Sequence, residues 1–268
     1  MENLSLTIDK KFDIDKSLPA KTQKDRESFV LHLADTNLIL AQRNAEWCGH
    51  GPILEQDIAI TNISLDLLGQ ARNFYQYAAQ IKGNGATEDL LAYLRGEREF
   101  KNGLIVELPR GDWAHSILRQ FFCSAYFYLL YEHLQKSEDE HLSAIAEKAI
   151  KEVTYHLKWS SEWVIRLGDG TPESNTRMKK ATDDLWMYTG EFFVAEDYET
   201  LIIGEGIMPL LKEAWLVKVK DIFGEATLTI PNDTYMQTGG KRGIHTEHLG
   251  FILAEMQYLQ KTYPGAQW

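Results

Sequence analysis

The sequence predicts an all-α protein, a four-helix bundle with one long crossover and additional C-terminal helices. Three observations carry this expectation. Apolar residues recur at three- and four-residue steps over long stretches that Gly and Pro interrupt only at their ends. The long segments fall into two helical hairpins of similar size, separated by a longer irregular connection, the layout of a bundle with one crossover. Only residues 227–230 read as strand-like, and that run is short.

Residues 1–24 are rich in Lys, Asp, Ser and Thr without a sustained period and are expected to form a flexible arm, leaving 25–268 as one helical domain. From Asp25, the stripe Val30, Leu33, Ala34, Asn37, Leu38, Ala41 and Ala45 marks the first helix, and Cys48-Gly49-His50-Gly51-Pro52 supplies its stop. Residues 53–81 form the second, dense in Ile and Leu. A short helix capped by Thr87 is expected over 87–96. Asp112 then caps a third long helix over 113–136, and a fourth runs from 137 or 138 to 167. Thr171-Pro172 opens a fifth in the cap-then-proline order. Shorter helices are expected over 197–204 and 209–223, with a last one over 244–262.

Composition narrows the function classes. The 268 residues are 44% hydrophobic and 25% charged, the profile of an ordinary globular chain. A formal net charge of -11 repels phosphate backbones and anionic lipid, so neither nucleic acid nor a membrane is expected as a partner. Two separate cysteines, Cys48 and Cys123, without a secretory leader fit a reducing cytoplasm. No Ser-His-Asp order, phosphate-binding glycine motif or Cys pair suggests a competing chemistry.

A bundle of this kind suggests a specific search. Ferritin-like di-iron proteins take one Glu from each of two helices and a Glu-x-x-His pair from each of the other two, all facing inward. Residues three apart share a helix face, and hard carboxylates with imidazoles satisfy iron. The second helix instead reads Asp66-Leu67-Leu68-Gly69-Gln70, and the fourth reads Glu152-Val153-Thr154-Tyr155-His156. Neither carries the motif.

Long strings of the chain do resemble one family. Gln42-Arg43, Glu46 to His50, Leu65 to Phe74, Ala149 to Glu152, Tyr155 to Leu157, Thr238 to Lys241, His245 to Gly250 and Ala254 to Gln260 are similar to the C subunits of the ring-1,2-phenylacetyl-CoA epoxidase complex of phenylacetate degradation. The resemblance runs from about residue 25 to the C-terminus. It implies a ferritin-like fold in a multicomponent oxygenase, where a related A subunit holds the di-iron site and epoxidises the ring. Electrons come from NADPH through a separate flavin and iron–sulfur reductase. This chain would be the non-catalytic scaffold, with no cofactor of its own.

Laid over the catalytic subunit's ligand pattern, Glu46 matches the first ligand. Leu67 and Gln70 replace the first Glu-x-x-His, Ser124 falls at the third-helix acid, and Val153 with His156 stands at the second Glu-x-x-His. Glu46 and His156 would remain either as a residual metal site or as groups hydrogen-bonded to each other, Gln70 or near neighbours. The loop Gly239-Gly240-Lys241-Arg242-Gly243 before a helix offers N–H groups and cations, so Lys241 and Arg242 are candidate contacts to coenzyme A phosphates or a partner, or simply a capped turn. His245 and His248 share a face but lack a third ligand, which favours a structural role. The expected partner is the related di-iron subunit, with self-association when the chain is alone. The competing reading is a metal-binding ferritin-like oxidoreductase active by itself through Glu46, Glu152 and His156.

Overall fold

Side-chain caps set the helix boundaries. In the computed structural model, which describes residues 20–232 and 234–266, the helices are α1 (Ala20–Ala45), α2 (Leu54–Lys82), α3 (Glu88–Tyr93), α4 (Leu104–Glu107), α5 (Trp113–Leu134), α6 (Glu140–Gly168), α7 (Pro172–Thr189), α8 (Asp197–Ile203), α9 (Ile207–Glu225), α10 (Glu247–Met256) and α11 (Tyr258–Thr262). The Thr87 hydroxyl accepts from the Leu90 N–H, and the Asp112 and Asp139 carboxylates accept from His115 and Leu142. Thr171 and Ser174 cap each other reciprocally ahead of Pro172. Replacing Asp112 by Ala removes an N-cap and should cost about 1 kcal/mol of stability in a thermal or urea melt. A melt indistinguishable from wild type would mean that solvent satisfies that end of α5.

Helix α1 packs along α2, and α5 along α6; α2 also meets α6. The α1–α5 side is tied by hydrogen bonds from Asn37 to Tyr131 (3.1 Å), Asn44 to Gln120 (2.6 Å) and Trp47 to Ser116 (2.8 Å). These contacts close a four-helix bundle, and the connection between α2 and α5 is the long crossover. Helices α7 and α9 cover α5, while α8 lies on α1. That covering explains why α5 is buried along nearly its whole length, with aromatic contacts from Phe122 to Trp186, Trp215 and Phe223. Aromatic pairs of this kind stabilise beyond their buried area.

Four details differ from the sequence expectation. Helix α1 starts at Ala20, so the last residues of the expected arm are helical; residues 1–19 lie outside the described residues. The crossover contains a further turn of helix, α4, too short to show a period. The segment 227–230 forms no strand. Thr227 adopts φ +54° and its hydroxyl donates to the Gly168 carbonyl, while a Cβ on Gly168 would lie 2.3 Å from the Ala226 oxygen. The 226–227 turn therefore seals the end of α6. Finally, the last helix is two. Gln257 is buried between α10 and α11, and its amide donates to the carbonyls of Ala92 (3.2 Å) and Arg95 (3.1 Å) in the crossover. Thr246 caps α10, which fixes its start three residues later than expected.

Candidate functional site at the bundle centre

Each bundle helix contributes one polar residue to a buried chain of hydrogen bonds. Asn37 on α1 donates to the Tyr131 hydroxyl on α5 (3.1 Å), which in turn donates to the Gln70 carbonyl oxygen on α2 (3.4 Å). The Gln70 amide nitrogen then donates to the Glu152 carboxylate on α6 (2.8 Å). Donation runs in one direction and ends on the single carboxylate. Burial raises the Glu152 pKa above the usual carboxyl value; the Gln70 bond and nearby His156 oppose this, while Asp66 adds to it. Burial likewise pushes the Tyr131 phenol up, so it stays a neutral donor.

The residues overlaid on the ligand pattern separate into two groups. Leu67 and Val153 are fully buried on α2 and α6, as apolar packing beside this chain. Gln70 is a link in it. His156 is buried with Nε2 3.0 Å from the Asp66 carboxylate, and its Nδ1 has no hydrogen-bond partner among the described residues. Glu46 and Ser124 lie elsewhere. Glu46 follows the end of α1 with a 38% exposed side chain, held by the Arg43 guanidinium at 2.6 Å, and its carbonyl accepts from Arg110. Ser124 accepts from Gln120 (2.8 Å), which also accepts from Asn44. It lies two turns from Tyr131 on α5, about 10 Å along the axis.

Glu46 and His156 are thus not hydrogen-bonded to each other, because the chain turns away at Glu46 before it could face the bundle interior. The residues that do meet include three that the ligand overlay leaves out: Asn37, Tyr131 and Asp66. Asn37 was visible as the one amide in the apolar stripe of α1. Among the described residues, no three His, Cys, Asp or Glu side chains are placed to hold a metal ion. A di-iron group needs bridging carboxylates, and the central positions supply Leu, Val and amides with Glu152 engaged by Gln70. The donor set does not fit that group. It does not assemble Glu46, Glu152 and His156 either.

The glycine-rich loop 239–243 already holds an anion of its own chain. The N–H groups of Gly239 and Gly240 donate to the Glu191 carboxylate at 2.7 and 2.8 Å, and the Leu104 N–H donates to its other oxygen at 2.6 Å. Lys241 is 2% exposed and donates to both Glu199 oxygens (2.9 and 3.0 Å) and to the carbonyls of Phe192 and Val194. This corrects the expectation of a phosphate contact at Lys241, whose ammonium points inward. Arg242 is exposed and pairs loosely with Glu196 at 3.5 Å.

His245 extends the same clasp. Its Nδ1 faces the Glu107 carboxylate (2.8 Å) and its Nε2 the Phe100 carbonyl (2.9 Å). Both partners are acceptors, so the arrangement favours the doubly protonated ring. Burial alone would lower the His245 pKa, but the Glu107 bond and charge and the Phe100 carbonyl outweigh it and raise the value. A raised folded-state pKa gives stability that is fully present below the ordinary histidine value of 6.5 and is lost as pH rises through the folded value. Melts of the wild-type chain should therefore fall as pH rises above 6.5 more steeply than those of His245→Gln, which cannot titrate. Parallel pH profiles would sink this assignment.

Fold and bundle centre together define a ferritin-like helical protein whose centre is cross-linked by amide, phenol and carboxylate. The chain belongs to the phenylacetic acid catabolic protein family, whose model matches residues 10–268. It is also 49% identical over 244 residues to the C subunit of the 1,2-phenylacetyl-CoA epoxidase of Escherichia coli (strain K12), a match covering 90% of this chain and 98% of that protein. The family match begins at residue 10, well inside the N-terminal stretch that carried no recognisable strings. No described helix is long and apolar enough to cross a membrane.

Proposed function

We propose that this chain is the non-catalytic structural subunit of a multicomponent di-iron monooxygenase that epoxidises the ring of phenylacetyl-CoA in aerobic phenylacetate degradation. It stabilises the related catalytic subunit, which carries the iron. The observation that supports this reading is the bundle centre. Where a catalytic relative would need bridging carboxylates, this chain carries Leu67, Val153 and the hydrogen-bonded chain Asn37–Tyr131–Gln70–Glu152. Such a network fixes the helix register of the bundle, because buried polar groups are satisfied in only one arrangement. A rigid bundle suits a protein whose task is to present a surface.

The test is a reconstitution. The purified chain, incubated with ferrous iron and desalted, should retain only trace metal and turn over no phenylacetyl-CoA under oxygen with a reductant. Mixed with the catalytic subunit, it should co-elute and raise that subunit's activity or thermal stability. Stoichiometric iron with oxygen-dependent turnover by this chain alone would overturn the proposal in favour of a self-sufficient oxidoreductase.

A further inference from the structure

Outside the bundle centre, helix α2 carries an exposed apolar ridge. Leu54, Ile58 and Leu65 are 71%, 52% and 60% exposed, at spacings of four and seven residues that set them on one face. Thr61 falls between them, half-buried with its hydroxyl turned away from solvent. Gly69 continues the line, and a Cβ there would meet nothing within 4 Å. The ridge from Leu54 to Leu65 is about 16 Å long at 1.5 Å per residue, enough for one facing helix. Bundle helices usually turn such residues inward. Helix α2 has a second, separate buried face, lined by Ile60, Ile63, Leu67 and Phe74. The outward ridge is therefore additional to what the fold requires.

Charge identifies the occupant. Between Leu54 and Asp66 the helix carries Glu55, Asp57 and Asp66 and no Lys or Arg. A second copy laid on this stretch across a two-fold axis would bring these carboxylates against each other. A helix with an apolar ridge flanked by Lys or Arg would instead be matched in both shape and charge. Helix α5 is closed to such a partner by α7 and α9, and α1 is partly covered by α8, while among the described residues the Leu54, Ile58 and Leu65 side chains of α2 stay more than half exposed.

We infer that the Leu54–Ile58–Leu65 face of α2 is the surface on which the catalytic subunit docks, through a helix whose apolar ridge is flanked by basic residues. This rests on the structural-subunit reading above. The experiment is co-expression of the full chain with the catalytic subunit, followed by size exclusion with light scattering. Wild type is compared with Ile58→Arg, Leu65→Arg and, as a control, Phe251→Arg at a similarly exposed apolar site on α10. Circular dichroism checks that each variant folds as wild type does. Wild type and Phe251→Arg should co-elute with the catalytic subunit, and the two α2 variants should lose at least tenfold in affinity. Undiminished co-elution of both α2 variants overturns the docking face alone. The same holds if the chain by itself forms a dimer that Leu65→Arg dissolves, which would assign the ridge to a second copy. Failure of the wild-type chain to co-elute overturns the structural-subunit reading and this inference together.

Discussion

Replacing Lys241 by Met should destabilise the protein by about 3–5 kcal/mol, the cost of leaving a buried carboxylate without its partner. Glu199 is fully buried, and Lys241 donates to both of its oxygens. The other basic group near it is His32, whose Nε2 lies 3.7 Å away. Burial lowers the His32 pKa, against the pull of Glu199 itself, so this ring is a poor substitute for the lost cation. The double variant Lys241→Met/Glu199→Gln should recover part of the loss. Its neutral amide still offers an acceptor to the Glu196 N–H, which Glu199 now satisfies. Urea denaturation of the three proteins decides the matter. A single-variant loss below about 1 kcal/mol would mean that the pair is solvated. The contrast matters for function, because it separates a lysine that holds the C-terminal clasp from one that recognises a phosphate.

The same residue shows what the sequence could and could not reveal. A glycine-rich loop with two cations before a helix is chemically apt for an anion, and it does bind one. The anion is Glu191, some fifty residues earlier in the chain, and nothing local in the sequence indicates that pairing. The helices themselves were legible because their signals are local: apolar period, Asp112 and Thr171 at the caps, Gly49 and Pro52 at the stop of α1. Departures arose where a long-range contact outweighed local pattern, as at Gln257, whose amide turns back to the crossover and divides the last helix. The bundle centre was half legible. Leu67, Gln70 and Val153 are buried in the bundle interior, since α2 and α6 keep their period there. Glu46 sits away from its expected place because it follows the last turn of α1, where no period fixes direction. Tyr131 is indistinguishable from a core aromatic until its hydroxyl is traced to Gln70.

Replacing Asp35 by Asn should cost a similar amount, about 3–5 kcal/mol, and should loosen one region before the rest. The fully buried Asp35 carboxylate accepts from Tyr75 (2.5 Å), from the Lys101 N–H (2.8 Å) and from both terminal nitrogens of Arg95. An amide keeps the size but offers one acceptor oxygen to these donors and turns its own N–H groups toward the remainder. Arg95, 7% exposed and seated over the Phe100 ring at 4.2 Å, would then be a buried cation without a counter-charge. Its position anchors more than the crossover. Gln257 donates to the carbonyls of Ala92 and Arg95, so the link passes from α1 through Arg95 to the junction of α10 and α11. Amide hydrogen exchange in Asp35→Asn should therefore accelerate first over residues 88–107 and 247–262, with α5 and α6 exchanging only through global unfolding. Uniform acceleration across the chain would show that the crossover and the C-terminal helices unfold together with the bundle. Selective loosening would mean that the ferritin-like core stands by itself and that the Asp35–Arg95 pair holds a separable clasp against it.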